Sequence, residues 1–214
     1  LNMKLNNKSL LLYAVTDRRW SNNDTFYKHI EESLEGGVTF LQLREKNLDT
    51  DSFFKEAIKI KELCKKYNVP FIINDNAEIA LKSNADGIHV GQDDMGAKEV
   101  RKLIGKDKIL GVSVQTVEQA LLAQSQGANY LGVGSIFTTT SKDDAKSVSI
   151  NTLKEICNAV NIPVVAIGGI DKDNVKQLSQ TGISGIAVIS AIYANKNIKS
   201  ATMKLKELIK EIIK

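Results

Sequence analysis

The chain is poor in several residue types. Its 214 residues include only two prolines, two cysteines, two histidines and one tryptophan, and aromatics make up 6%. No apolar run approaches the roughly 18–20 residues that span a bilayer, which argues against a membrane protein. Two cysteines are too few for the disulfide framework of a small secreted domain. Cys64 and Cys157 each stand among apolar neighbours in helical patterns and read as buried, reduced thiols. The opening "LNMKLNNKSLLLYAV" has no small-residue cleavage pattern, so a cytoplasmic chain is expected, with residues 1–9 as an N-terminal extension and Met3 as a candidate natural start. The formal charge of +4 is modest. Lysines recur along helical segments such as "KEAIKIKELCKK" and "MKLKELIKEIIK" rather than in one basic stripe, and no nucleic-acid-binding module is present. What remains is an ordinary globule, 43% hydrophobic and 25% charged, of one-domain length.

What is present is alternation. Eight short β-rich runs are expected at Leu10–Val15, Thr39–Arg44, Pro70–Asn74, Asp86–Val90, Ile109–Val114, Asn129–Val133, Pro163–Ile167 and Gly185–Ile189. Between them lie amphipathic segments such as "DSFFKEAIKIKELCKKY", apolar at three- and four-residue spacing. A Gly or Asn able to end a helix stands before several strands, as in "EGGVTF", "KSNADGI", "SQGANY" and "QTGISGI". Pro70 and Pro163 open strands, where a missing N–H matters least. Alternation implies a parallel sheet with right-handed crossovers, and eight units of about 27 residues match a single-domain α/β fold, the (β/α)8 TIM barrel. The rival, a doubly wound open sheet, would carry a Gly-rich phosphate loop after the first strand, where "VTDRRW" stands instead.

Such barrels place their chemistry at the C-terminal ends of the strands. Polar residues collect there: "QLREK" after the second run, "NDN" after the third, "GQDD" after the fourth, and Ser113 in the fifth. Alternation puts Gln42, Arg44 and Lys46 on one side of the second strand and Leu41, Leu43 and Glu45 on the other. Arg offers a planar fork for phosphate oxygens and Lys a point charge; the alternative for Arg44 is an ion pair with a carboxylate such as Asp75. Asp75 and Asp94 read either as ligands of a hard cation such as Mg2+ or as helix N-caps, and Asp93 as a cap. His89, inside the fourth strand, reads as a hydrogen-bonded core residue, and His29 as lying on a helix face. The glycine pair of "AIGGI" and the helix start in "VISAI" are suited to a monophosphate. Together these residues make two anionic demands, one for a diphosphate and one for a separate phosphate. Between the sixth strand and the next helix, "GSIFTTTSKDDAKS" is long for a connector and carries four consecutive hydroxyl residues ending in Lys142.

The segments "LQLREK", "INDNAEIALKSNADGIHVGQDD", "LGVSV", "GANYLGVGSIF", "TTTSKDDAK", "VVAIGGI" and "GIAVISAI" occur in the order and spacing of the thiamine phosphate synthase family, which the chain resembles over nearly its whole length. The resemblance implies a (β/α)8 barrel that joins 4-amino-2-methyl-5-hydroxymethylpyrimidine diphosphate to a thiazole phosphate, or to its carboxylated precursor with loss of CO2. Its partners are then small-molecule substrates, and nothing in the sequence sets an oligomeric state. It implies that Gln42, Leu43, Arg44, Glu45, Lys46, Asn74, Ser113 and Lys142 bind the pyrimidine diphosphate. Thr139, Thr140, Ser141, Gly169, Ile189 and Ser190 would bind the thiazole phosphate, and Asp75 and Asp94 would hold one Mg2+. The chain departs from the family at Ser135 and Thr138, where proline is usual, and at Ser141, which keeps a hydroxyl but loses a methyl; a less rigid loop is expected. The rival readings are a thiazole tautomerase, which needs no diphosphate clamp, and a non-catalytic ligand-binding barrel, which would have lost some of the charged set.

Overall fold

The computed structural model describes residues 5, 8–138 and 147–213. Eight parallel strands close into a barrel in sequence order: β1 Leu12–Val15, β2 Phe40–Leu43, β3 Phe71–Asn74, β4 Gly87–Val90, β5 Ile109–Val114, β6 Tyr130–Val133, β7 Val164–Ile167 and β8 Gly185–Val188. The open-sheet alternative is thereby excluded. Helices α1 Phe26–Glu35, α2 Thr50–Lys66, α3 Ala77–Lys82, α4 Ala97–Ile104, α5 Val117–Ser125, α6 Ile150–Ala159, α7 Ser190–Tyr193 and α8 Ile198–Ile212 follow the strands, with a 3-10 turn at Val175–Leu178 as the β7–β8 crossover. No helix among the described residues is long and apolar enough to cross a membrane.

Local chemistry accounts for most boundaries. Helix α2 begins where the Asp49 carboxylate accepts the Ser52 N–H at 2.9 Å, with Asp51 in its first turn and Lys65 and Lys66 in its last, complementing the helix dipole at both ends. Gly37 (φ 101°) and Asn84 (φ 51°) take the left-handed backbone expected before β2 and β4. Pro70 and Pro163 sit one residue ahead of β3 and β7 and still serve the ladder through their carbonyls, which accept from Leu41 and Leu131 at 3.1 and 3.0 Å.

Two apolar layers result. Outward-facing strand residues such as Leu41, Leu43, Ile73, Ile88 and Val112 pack against the inner stripes of the helices, including Phe53, Ala57 and Ile60 of α2. Each fully buried side chain of that size contributes about 1.5–3 kcal/mol. The barrel interior is filled by Leu10, Tyr13, Val15, Phe40, Ile72, Ile109, Tyr130, Val165 and Ala187. Registers Gln42↔Ile72, Asn74↔His89, His89↔Gly111 and Ser113↔Gly132 place Gln42, Asn74, His89 and Ser113 on that same inner face, toward the C-terminal end.

Candidate functional site

The segment after β2 behaves as its alternation predicts. Gln42 is buried in the interior and its amide donates to the Tyr13 hydroxyl. Leu43 lies wholly in the helix-facing core, and Glu45 turns outward to accept from Arg18 Nε at 2.9 Å. Leu43 and Glu45 therefore have only backbone to offer the barrel mouth. The side-chain chemistry of the segment belongs to Gln42, Arg44 and Lys46.

Arg44 is not paired with Asp75. Its Nη1 stands 3.6 Å from Asp17 Oδ2, and its Nε is buried with no hydrogen-bond partner among the described residues. An unsatisfied buried donor costs about 1–3 kcal/mol, more for a charged group, so the Nε of this guanidinium is open to an acceptor from a bound ligand or water. Asp17 orients it, and sequence reasoning missed this residue. It follows β1 in "VTDRRW", at the rim position where polar residues collect, but was read only as the absence of a glycine-rich loop. Burial opposes ionisation of Asp17, yet the Arg19 side-chain and backbone N–H groups, with Arg44 behind them, hold its carboxyl below the ordinary value.

Lys46 takes the partner first considered for Arg44: its Nζ is 2.7 Å from Asp75 Oδ2. Asp75 has a left-handed backbone (φ 60°), an uncommon state for a non-glycine residue and a form of strain found at ligand sites. Its N–H is tied to the His89 carbonyl at 2.8 Å. The capping alternative fails for all three aspartates it concerns. Helix α3 is capped by Asn76, which accepts from Ile79 N at 2.9 Å, and α4 by Gly96 with no side-chain bond, so neither Asp75, Asp94 nor Asp93 caps a helix. Asp94 instead accepts from Gly91 N at 2.7 Å.

The Asp75 and Asp94 carboxyls are close enough to influence each other's ionisation. Burial raises the Asp94 carboxyl, and the neighbouring Asp75 adds to the rise; Asp75 itself, despite burial, is drawn down by the Lys46 bond. Neighbouring carboxyls favour a shared proton or a cation between them, and here Lys46 already supplies one positive charge to Asp75. That donor set fits Mg2+, which takes one or two carboxylates and completes its shell with water and substrate phosphate oxygens. Among the described residues no group of three or more His, Cys, Asp or Glu forms a denser metal cage.

Deeper in the mouth, Asn74 ends β3 and is nearly buried, while Ser113 Oγ lies 2.8 Å from His89 Nε2. His89 is the hydrogen-bonded core residue expected, its Nδ1 being 2.9 Å from the Tyr130 hydroxyl. His29 lies on α1, with Nδ1 2.6 Å from Ser21 Oγ.

After β7, Gly168 and Gly169 both have positive φ, at 99° and 63°. A Cβ on Gly169 would run into the Thr138 and Phe137 carbonyl oxygens, so the glycine pair packs directly on the start of the β6–α6 loop. Asn174 steadies it by donating to the Gly169 carbonyl at 2.7 Å. Ile189 precedes α7 and exposed Ser190 begins it. That helix is one turn long, and its Ile192 and Tyr193 N–H groups already bond the Ile189 carbonyl at 3.1 and 3.0 Å, which leaves the Ser190 and Ala191 N–H groups as those able to meet a ligand. Thr139, Thr140, Ser141 and Lys142 lie outside the described residues.

The barrel thus gathers Gln42, Arg44, Lys46, Asn74, Asp75, Asp94 and Ser113 along the ends of β2–β5, and Gly169, Ile189 and Ser190 after β7 and β8. Comparison with known proteins identifies the relatives of the chain as a whole. A sequence model described as thiamine monophosphate synthase matches residues 12–192. The thiamine-phosphate synthase of Clostridium tetani is 55% identical over 203 residues, covering 94% of this chain and 97% of that protein. That of Ruminiclostridium cellulolyticum is 53% identical over 197 residues, covering 92% and 94%. The solved structure of thiamine phosphate pyrophosphorylase from Pyrococcus furiosus matches with a TM-score of 0.90 at 38% identity, covering 97% of this chain and 99% of that one.

Proposed function

This chain belongs to the thiamine monophosphate synthase family, and we propose that its barrel mouth joins a pyrimidine diphosphate to a thiazole phosphate, releasing diphosphate and forming thiamine phosphate. It is a transferase, and the reading places it in the cytoplasm. The observation that carries the residue assignment is the buried Arg44 Nε with no partner among the described residues, beside Lys46 and the neighbouring carboxyls of Asp75 and Asp94. This is a preformed clamp for an anion more highly charged than one phosphate. A thiazole tautomerase has no use for such a clamp.

The reaction is a dissociative displacement. The C–O bond to diphosphate breaks, and the aminopyrimidine ring delocalises the methylene cation. The thiazole nitrogen then supplies the electron pair for the new C–N bond. Arg44 and Lys46 take up charge on the departing oxygens, and their fixed placement lets them act without reorganisation. Asp75 and Asp94 would hold Mg2+, which when bound neutralises further diphosphate charge. Gln42, Asn74 and Ser113 orient the pyrimidine. Gly169, Ile189 and Ser190 receive the thiazole phosphate through backbone N–H groups, aligning the nucleophile with the cation. Thr139, Thr140, Ser141 and Lys142 complete the two subsites from the loop.

The test is to incubate the purified protein with both substrates and Mg2+ and to follow thiamine phosphate and diphosphate together. Equal formation of both, and neither when one substrate is omitted, is expected. Binding without product would point to a non-catalytic barrel, and conversion of a thiazole alone to a tautomerase.

A further inference from the structure

We propose that Tyr130 is a positioning residue: with Tyr13 it sets the direction of a buried hydrogen-bond chain from Gln42 to Ser113, leaving the Ser113 hydroxyl proton free to donate into the barrel mouth. The inference rests on the function above only in naming the pyrimidine diphosphate as the molecule that meets Gln42 and Ser113.

Five side chains on five strands form the chain. Gln42 Nε2 donates to the Tyr13 hydroxyl; the Tyr13 and Tyr130 oxygens are 2.8 Å apart; Tyr130 reaches His89 Nδ1 at 2.9 Å; and His89 Nε2 reaches Ser113 Oγ at 2.8 Å. Both phenols are buried, Tyr13 at 1% and Tyr130 at 0% exposure, so an unpaired proton on either would have no water to meet.

A phenol has one proton, and this decides the order. Tyr13 already accepts from Gln42. If Tyr13 donates to Tyr130, then Tyr130 donates to His89 Nδ1. The imidazole is then neutral with its proton on Nε2, and that proton goes to Ser113 Oγ. Each link is satisfied. With the Gln42 amide nitrogen facing Tyr13, as here, the reverse order has Tyr130 donating to Tyr13, which accepts twice and leaves its own proton with no acceptor in the chain; only an amide turned to present its oxygen would satisfy that order, and it would put the His89 proton on Nδ1. The first order wins because the second strands a buried donor.

The consequence lies at the two ends. Ser113 accepts from His89, so its own proton remains for a ligand. Gln42 commits one amide proton and keeps a second N–H and its carbonyl. The edge-on aromatic contacts of Tyr13 with Phe40 (4.7 Å) and of Phe40 with Tyr130 (5.6 Å) hold the middle of the chain rigid. The spacing between a β2 amide and a β5 hydroxyl is thereby fixed before substrate enters.

The test uses 15N-histidine NMR on the ligand-free protein and steady-state kinetics on the same preparations. The chain has only two histidines, so His29→Asn assigns His89. We expect His89 in the Nε2–H tautomer in the wild type and in Tyr13→Phe, where Tyr130 still donates, but a mixed tautomer in Tyr130→Phe. Tyr130→Phe should lower kcat on the order of tenfold with a smaller change in the pyrimidine diphosphate KM, as expected of lost orientation. An Nδ1–H tautomer in the wild type would overturn the proposal whether or not any variant folds. Wild-type kcat in Tyr130→Phe would overturn it too. Absence of thiamine phosphate formation by the wild type would instead count against the function, leaving the tautomer measurement standing.

Discussion

Replacing Arg44 with methionine separates what the guanidinium does for the fold from what it does for a ligand. The unbranched stem stays, while the charge and the donors go. Two terms act on stability. Removing a buried Nε without a partner relieves about 1–3 kcal/mol. Losing the 3.6 Å approach to Asp17 forfeits at most about 1 kcal/mol, because Asp17 keeps Arg19 at 2.7 Å. The net is a ligand-free protein at least as stable as the wild type and stabler by up to about 3 kcal/mol, with about 2–4 °C in melting temperature for each kcal/mol at this size. Catalysis should move the other way. One donor lost from a departing diphosphate costs on the order of 100- to 1000-fold in turnover, about 2.7–4 kcal/mol. Urea unfolding of both proteins and kcat/KM for the pyrimidine diphosphate measure the two sides. If Arg44→Met unfolds markedly more easily and keeps its activity per folded molecule, the arginine is a structural ion pair and the clamp is misassigned.

Asp75→Asn and Asp94→Asn should each abolish most turnover yet melt cooperatively, and wild-type activity should vanish with chelator and return with Mg2+; unchanged activity in both variants would remove the metal assignment. Gly169→Ala puts a side chain at φ 63° against the Phe137 and Thr138 carbonyls, so it should lose about 1–3 kcal/mol of stability and raise the thiazole phosphate KM more than the pyrimidine diphosphate KM; an equal rise in both would mean a general defect. Lys142→Ala should lower kcat by on the order of 100-fold and weaken substrate-induced protection of the 134–147 amides in hydrogen exchange; near-normal kcat would reduce the loop to a connector.

The strand pattern was legible because parallel barrel strands leave a plain signal: short apolar runs with polar residues at one end only. Strand β5 stands at its expected bounds, and the other strands shifted at one or both ends by one or two residues. Leu10, expected in β1, precedes it, and its fully buried side chain helps fill the interior. The β7–β8 crossover read as another helix but is a 3-10 turn. Its first residues are occupied elsewhere: Asp171 and Asn174 bond each other's backbone or neighbours, and Asn174 also holds Gly169. Which residues end each strand could be read directly, and alternation correctly separated Arg44 from Glu45. Their partners could not be read. Asp17 meets Arg44 and Tyr13 meets Gln42 only because β1 and β2 pair in one register, and register is a property of the closed sheet rather than of either strand. Helix capping misled in a similar way. An Asp shortly before a helix is a good cap on average, but Asn76 lay one residue nearer to α3.

The polar chain inside the barrel also has a consequence for which sequences can encode it. Gly111 on β5 leaves the space that Tyr130 and the His89 ring occupy, and a Cβ on Gly132 of β6 would stand 3.2 Å from His89 Cε1. A library randomised at position 111 and selected for growth dependent on this enzyme should return glycine almost alone, although nothing about a β-strand favours that residue. At position 132 alanine should survive where larger residues do not. If alanine were common at 111, the rings would have to be able to move aside, and the interior would be more plastic than its packing indicates.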